Sequence, residues 1–172
     1  MNMQQSALND ALRARAAPMR PHLMSYVETL GLLERMHRLL LDVLKDEFER
    51  LGILDVNPVQ AMLLYNVGGH EVTAGELKSR GYYQGSNVSY NLKKLVETGY
   101  MHHQRCAVDR RAVRVRLTQK GHDVRKVVAD LFDRHAGLLD DRGIVDVSGL
   151  EDANQAMRRM ERFWTDQIRY IY

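Results

Sequence analysis

A single cysteine, Cys106, stands in 172 residues, so no disulfide can close within the chain, and a reducing compartment is expected. Long apolar runs are missing as well. Charges interrupt every candidate, which excludes a bilayer-spanning helix. Near the start, Asn9, Asp10, Arg13 and Arg15 break up the apolar core that a secretory signal needs. A soluble, cytoplasmic protein with no membrane partner is expected. Charge of one sign is scarce too: the net charge is +3 and the isoelectric point is near 9.1. An excess that small does not identify a polyanionic partner, so the placement of the charges must do so. Catalytic signatures are also lacking. There is no phosphate-cradling glycine motif, no nucleophile elbow and no paired-cysteine zinc motif. Neither an enzyme nor a cofactor is expected. Seven histidines raise the question of a metal. The adjacent pair His102 and His103 reads as strand, however, where neighbours point to opposite faces, and no short-spaced helical pair exists.

Apolar residues at 45% and charged residues at 27% fit one globular domain, or a small domain with helical extensions, and argue against wholesale disorder. Leu23, Val27, Leu30, Leu33, Leu40, Leu44, Phe48 and Leu51 keep a helical period, with Pro21 in the first turn and Gly52 as the stop. A second helix begins at Asn57-Pro58 and runs to Gly68-Gly69. Thr73 and Glu76 form a capping box for a short third helix ending at Gly81. Ser86 caps a fourth helix, which ends before Gly99. The period then changes to two. Residues 100–107 and 112–117 read as strands joined at Asp109-Arg110-Arg111. Thr118 caps a fifth helix to about Leu139, and a capping box of Ser148 and Glu151 opens a last helix that nearly reaches Tyr172.

Helix, helix and two-stranded hairpin in that order make a winged helix-turn-helix. In the helix from Ser86 to Thr98, Val88, Leu92, Leu95 and Val96 share the core side. Asn87, Tyr90, Asn91 and Lys94 are expected on the opposite side, with Ser86 and Ser89 at the leading end. Such a face suits a major groove. Asparagine pairs with an adenine edge, hydroxyls bond to bases or phosphates, and Lys93 and Lys94 bring positive charge to the backbone. A solvated helix face would have the same composition. The hairpin weighs more. Val113, Val115 and Leu117 share one strand face, Arg114 and Arg116 the other, with Arg110 and Arg111 near the tip and Arg105 on the preceding strand. Duplex DNA gives five arginines on one hairpin a purpose: strands along the backbone and a tip arginine in the minor groove. Asp109 can pair with a nearby arginine and fix the tip. The alternative is a charged edge strand that resists aggregation.

The stretch Asp109-Arg-Arg-Ala-Val-Arg-Val-Arg-Leu-Thr-Gln-Lys-Gly121 resembles the wing of the MarR family of bacterial regulators, and Val88-Ser-Tyr-Asn-Leu-Lys-Lys-Leu-Val-Glu-Thr-Gly-Tyr100 is similar to that family's recognition helix. The resemblance is strongest from Asn57 to Gly121. It implies a dimer with intertwined outer helices and an operator of two related half-sites. It also implies that Asp109 and Arg111 fill the family's Asp-x-Arg wing motif, and it makes a small-molecule effector plausible. One departure is the bulky turn Gly81-Tyr-Tyr-Gln-Gly85, whose Tyr82 and Tyr83 are open to phosphate contact, core packing or a place beside a ligand pocket.

The expected fold is therefore mostly α with a small β-hairpin wing, a winged helix-turn-helix flanked by long N- and C-terminal dimerisation helices. Its expected parts are an N-terminal arm at 1–20, a dimerisation helix at 21–52, the DNA-binding domain at 53–120 and C-terminal dimerisation helices at 121–172. Ala156, Met160, Phe163, Trp164, Ile168 and Ile171 give the last helix more apolar surface than an isolated tail tolerates, and a second copy would bury it. Effector-site candidates are Arg35, His37, Tyr65 and Tyr82, beside methionines such as Met36, Met62, Met157 and Met160 that otherwise fill core. Cys106, near Arg105, is either an inert strand thiol or an oxidation sensor. The expected function is a sequence-specific DNA-binding regulator, a ligand-responsive repressor acting as a homodimer on a pseudo-palindromic operator. The competing reading is a winged-helix module that binds another protein and no DNA.

Overall fold

The computed structural model describes residues 21–79, 85–105 and 113–170. The first helix, α1, runs from Pro21 to Arg50. Its stop is a left-handed turn at Gly52 (φ 73°). There the Ile53 amide donates to Phe48 O at 2.9 Å and the Gly52 amide to Glu49 O at 3.1 Å, so the last turn's carbonyls are satisfied where a side chain would be strained. Among the described residues, 21–46 belong to one compact unit and those from Glu47 onward to another. Within the first unit, Leu23, Val27, Leu32, Met36 and Leu39 are exposed along the helix.

In the second unit, α2 spans Pro58–Val67. The Asn57 side chain accepts from the Gln60 amide at 2.9 Å, and the Gln60 side chain accepts from the Asn57 amide at 3.1 Å. This reciprocal cap was only half visible in the sequence, where Asn57 and Pro58 were the signals. Strand β1 (Val72–Thr73) leads into the short helix α3 (Ala74–Ser79). The predicted capping box is present: the Thr73 amide donates to Glu76 at 2.5 Å and the Glu76 amide to Thr73 Oγ1 at 3.1 Å.

Helix α4 (Gly85–Glu97) precedes strands β2 (Met101–Arg105) and β3 (Val113–Leu117). It begins one residue before Ser86, which therefore lies within its first turn. The hairpin is antiparallel, and β1 adds a third strand in the order β1-β3-β2. Sequence alternation could not reveal β1, which is two residues long and doubles as the cap of α3. Val72 pairs with Val115, and Met101 pairs with Leu117, so one sheet face carries apolar side chains inward.

Helix α5 (Gln119–Asp141) is capped by Thr118, whose hydroxyl accepts from the Gly121 amide at 3.1 Å. Its Val124, Val128 and Leu131 are buried, as are Ala61, Leu63, Leu64 and Val67 of α2, against which α5 packs. Leu77, Val88, Leu92, Leu95, Tyr100 and Met101 complete this core. Each valine, leucine or methionine side chain among these contributes about 1.5–3 kcal/mol when removed from water. Tyr65 meets Phe132 edge-on, with ring centroids 5.1 Å apart.

The last helix, α6, spans Val147–Tyr170. The predicted cap at Ser148 is corrected: Asp146 holds the end, accepting from the Gly149 amide at 2.7 Å. Ser148 falls inside the first turn instead. None of the residues of α6 is buried. Met157, Phe163 and Ile168 are exposed, and Met160 and Trp164 are half-buried. Ile171 lies outside the described residues.

Candidate nucleic-acid interface

Helix α4 divides cleanly into two faces. Val88, Leu92 and Leu95 are buried. Ser89, Tyr90 and Lys93 are exposed, Tyr90 at 62% and the Lys93 side chain at 76%. Asn91 corrects the expected face: it is 8% exposed and belongs to the buried side. The reason is its spacing, three residues after Val88 and four before Leu95, which continues the core stripe. The same spacing also fits the outer face, since Asn91 is four residues after Asn87 and three before Lys94, and burial decides between the two. The side chains of Ser86 and Asn87 lie outside the described residues, although both positions are in the first turn of α4.

Lys94 is half-buried, and its Nζ donates to Glu97 Oε2 at 2.9 Å. Lys93 Nζ lies 3.8 Å from Glu97 Oε1. The Lys94 hydrogen bond holds the Glu97 carboxyl below its ordinary pKa, with both lysine charges adding to the effect, and the same bond raises Lys94.

On the wing, Arg114 and Arg116 are exposed and alternate with buried Val115 and Leu117, as the sequence predicted. Arg116 pairs in register with His102, and Arg114 with Gln104. Arg114 Nη1 also approaches Glu71 at 3.9 Å, a surface pair of little energetic weight. Arg105 ends β2, and its side chain is outside the described residues, as are Asp109, Arg110, Arg111 and Cys106 altogether.

The sequence located the stop of α4 at Gly99 but not the contacts that hold Tyr100 beyond it. The Gly99 amide donates to Val96 O at 3.1 Å and the Tyr100 amide to Leu95 O at 2.8 Å, turning the chain sharply out of α4. This turn needs the left-handed backbone of Gly99 (φ 79°). Tyr100 is then buried, and its hydroxyl donates to Asp55 Oδ1 at 2.6 Å. Lys120 Nζ donates to Asp55 Oδ2 at 2.8 Å and sits 3.9 Å from the Tyr100 ring centroid. Hydrogen bonds from Lys120 and then Tyr100 hold Asp55 below the usual carboxylate range. Burial, followed by the bond to Asp55, pushes the Tyr100 phenol up. Nothing local in the sequence links Asp55 to residues 45 and 65 positions away.

A cavity of about 450 Å³ opens between α4 and the wing, lined by Ser89, Leu92, Lys93, Val96, Glu97, His103 and Val115. The signal for it was available: His103 pairs with Val115 and so shares the inner sheet face. The effector candidates Arg35, His37 and Tyr65 are not among its lining residues. Arg35 and His37 are both exposed on α1, and at two residues apart they point to nearly opposite sides of that helix. Tyr65 meets the Phe132 ring edge-on. Tyr82 lies outside the described residues.

The model of a winged helix DNA-binding domain matches residues 56–121. The chain is 37% identical over 148 residues to an exopolysaccharide II synthesis transcriptional activator of Rhizobium meliloti, covering 86% of this chain and 76% of the relative. Among solved structures, the transcriptional regulator SlyA aligns over 84% of this chain and 99% of its own, with a TM-score of 0.69 and 16% identity. FabT of Streptococcus pneumoniae, solved in complex with DNA, aligns over 82% of this chain and 98% of its own, with a TM-score of 0.62 and 18% identity. The chain belongs to the MarR family of winged-helix transcription regulators. Like other MarR-type proteins it is a DNA-binding transcription regulator and not an enzyme. By its place in the MarR fold, α4 takes the position of the recognition helix and β2-β3 that of the wing. No helix among the described residues is long and apolar enough to cross a membrane.

Proposed function

We propose that this MarR-type regulator works in the cytoplasm as a homodimer that reads a pseudo-palindromic operator. On each protomer, Ser86, Asn87, Ser89, Tyr90, Lys93 and Lys94 of α4 meet the major groove, while Arg105, Asp109, Arg110, Arg111, Arg114 and Arg116 serve the wing. The observation that carries this reading is a helix that buries Val88, Leu92 and Leu95 while exposing Ser89, Tyr90 and Lys93, next to a strand that exposes Arg114 and Arg116. Dimerisation is supported by α6, an amphipathic helix with no buried residue and with Met157, Phe163 and Ile168 exposed. Isolated helices do not keep such a stripe in water unless something covers it.

In this reading the chain consists of an arm at 1–20, pairing helices at 21–52 and 121–172, and a DNA-binding domain at 53–120. A small effector is part of the reading, and the cavity beside α4 supports it better than Arg35, His37, Tyr65 and Tyr82 do, because its walls belong to the reading helix and the wing. Occlusion of a promoter would give repression. The curated relative is a transcriptional activator, and that favours a second reading in which the bound dimer activates.

Fluorescence anisotropy with random and operator duplexes at several salt concentrations tests the core of the proposal. Affinity should fall steeply with salt, since each neutralised phosphate releases counterions. Arg111→Ala should weaken binding to every sequence. Equal affinity of that variant and the parent at moderate salt removes the wing from the account. Absence of binding even at low salt would favour a protein-interaction module. A promoter-reporter assay with and without the protein decides between repression and activation.

A further inference from the structure

The recognition helix carries one acidic residue, at the place where it can hold both of its cations. Glu97 Oε2 accepts from Lys94 at 2.9 Å, and Oε1 lies 3.8 Å from Lys93. Lys93 and Lys94 are the only basic residues of α4 (Gly85–Glu97), so this single carboxylate engages all of the helix's cations. All three side chains are solvent-accessible. We propose that Glu97 is an internal counter-ion that stands in for a DNA phosphate on the free protein and holds down sequence-independent affinity.

Helix stability gives little reason for a glutamate there. Glu97 is the last residue of α4, at the negative end of the helix dipole, where an anion is disfavoured. A lysine that precedes a glutamate by three or four residues is also the weaker order for a helical ion pair. The placement makes sense when the helix meets a polyanion. Each lysine that reaches a phosphate must leave the carboxylate, and the carboxylate remains close to the incoming charge. The trio presents +1 to the duplex instead of +2. Base-edge contacts from elsewhere on the helix are not opposed in this way, so the penalty falls on the part of binding that every sequence shares. A regulator competing against a genome of non-specific sites gains from a weaker common term.

The proposal rests on the reading that α4 faces DNA, and the test separates the two. The full-length protein is titrated against a fluorescein-labelled random 20-bp duplex, about two helical turns long, across a series of salt concentrations. Glu97→Gln should tighten binding by roughly three- to tenfold at low salt and steepen the slope of log K against log salt by about one per engaged protomer. Its thermal midpoint should stay within about 3 °C of the parent. Glu97→Asp keeps the charge and should bind as the parent does. Unchanged or weaker binding by Glu97→Gln overturns the proposal, and so does equal tightening by Glu97→Asp, which would make shape the cause. The double variant Lys93→Gln/Lys94→Gln should bind less tightly than the parent. If it does not, the placement of α4 on DNA fails, whatever Glu97 does.

Discussion

The Tyr100 hydroxyl donates a 2.6 Å hydrogen bond to Asp55, a residue from the loop between α1 and α2. Tyr100 is the first residue after the turn out of the recognition helix and the last before the wing. Tyr100→Phe should therefore leave Asp55 with Lys120 alone and cost about 1 kcal/mol of stability, read as a lower urea midpoint. Asp55→Asn should weaken the contacts to both Tyr100 and Lys120 and cost more than Tyr100→Phe. A smaller loss for Asp55→Asn would mean that the trio does not act as a unit.

A second carboxylate gives the protein an acid limit. Arg50 bonds to Glu47 through Nε at 2.8 Å and Nη2 at 2.9 Å, and Arg134 of α5 reaches Glu47 Oε1 at 2.5 Å. The Arg50 bond chiefly, with help from Arg134 and against the cost of burial, lowers Glu47 to about 2 from an ordinary 4.5. A carboxyl depressed on folding stabilises the native state above its unfolded pKa and loses that contribution as pH falls through the folded value. Thermal midpoints should drop between pH 4.5 and about 2, and Glu47→Gln should flatten that part of the profile. An identical slope for the variant would remove Glu47 as the source.

Asn87 and Asn91 should behave differently. Asn91 is buried, so Asn91→Ala should cost about 1–3 kcal/mol of folding stability and change DNA selectivity only through that loss. Asn87→Ala should leave stability within about 0.5 kcal/mol and relax the preference for the operator by about 1–3 kcal/mol. Chemical denaturation and competitive binding with mismatched operators measure both. Reversed roles would return Asn91 to the reading face.

The pairing of two copies is checked at α6. Phe163→Glu places a charge in the middle of the exposed apolar row and should shift the sedimentation coefficient toward that of a monomer. It should also weaken operator binding, since two linked half-sites owe much of their affinity to effective concentration. A dimer that survives both Phe163→Glu and Ile168→Glu would exclude α6 from the interface.

Helices, hairpin and two of the caps were legible because they are local, whereas Ser148 and Ser86 each fall inside a first turn. The Thr73–Glu76 box, the Thr118 cap and the alternation of Val115 and Leu117 with Arg114 and Arg116 each depend on a few adjacent residues. Asn91 was misplaced because steps of three and four join it both to Asn87 and Lys94 and to Val88 and Leu95, so spacing alone fits either face. Strand β1 was invisible because two residues hold no periodicity. The Asp55–Tyr100–Lys120 trio and the Glu47–Arg134 bond were invisible for a different reason: their partners are brought together only by the tertiary fold.

Gly121 shows how little slack the helix-to-wing junction has. A methyl group at this position would run into the Tyr100 carbonyl oxygen, which already accepts from the Thr118 amide at 3.1 Å. The end of α4, the wing's base and the start of α5 thus meet at one residue, Tyr100, and bending one against another would strain all three joints together. The amides of Tyr100 and Thr118 should accordingly exchange with solvent at the same rate. Were a signal to release the proposed dimer from its operator, each reading head should move as a block, with the distance between the two heads as the quantity that changes.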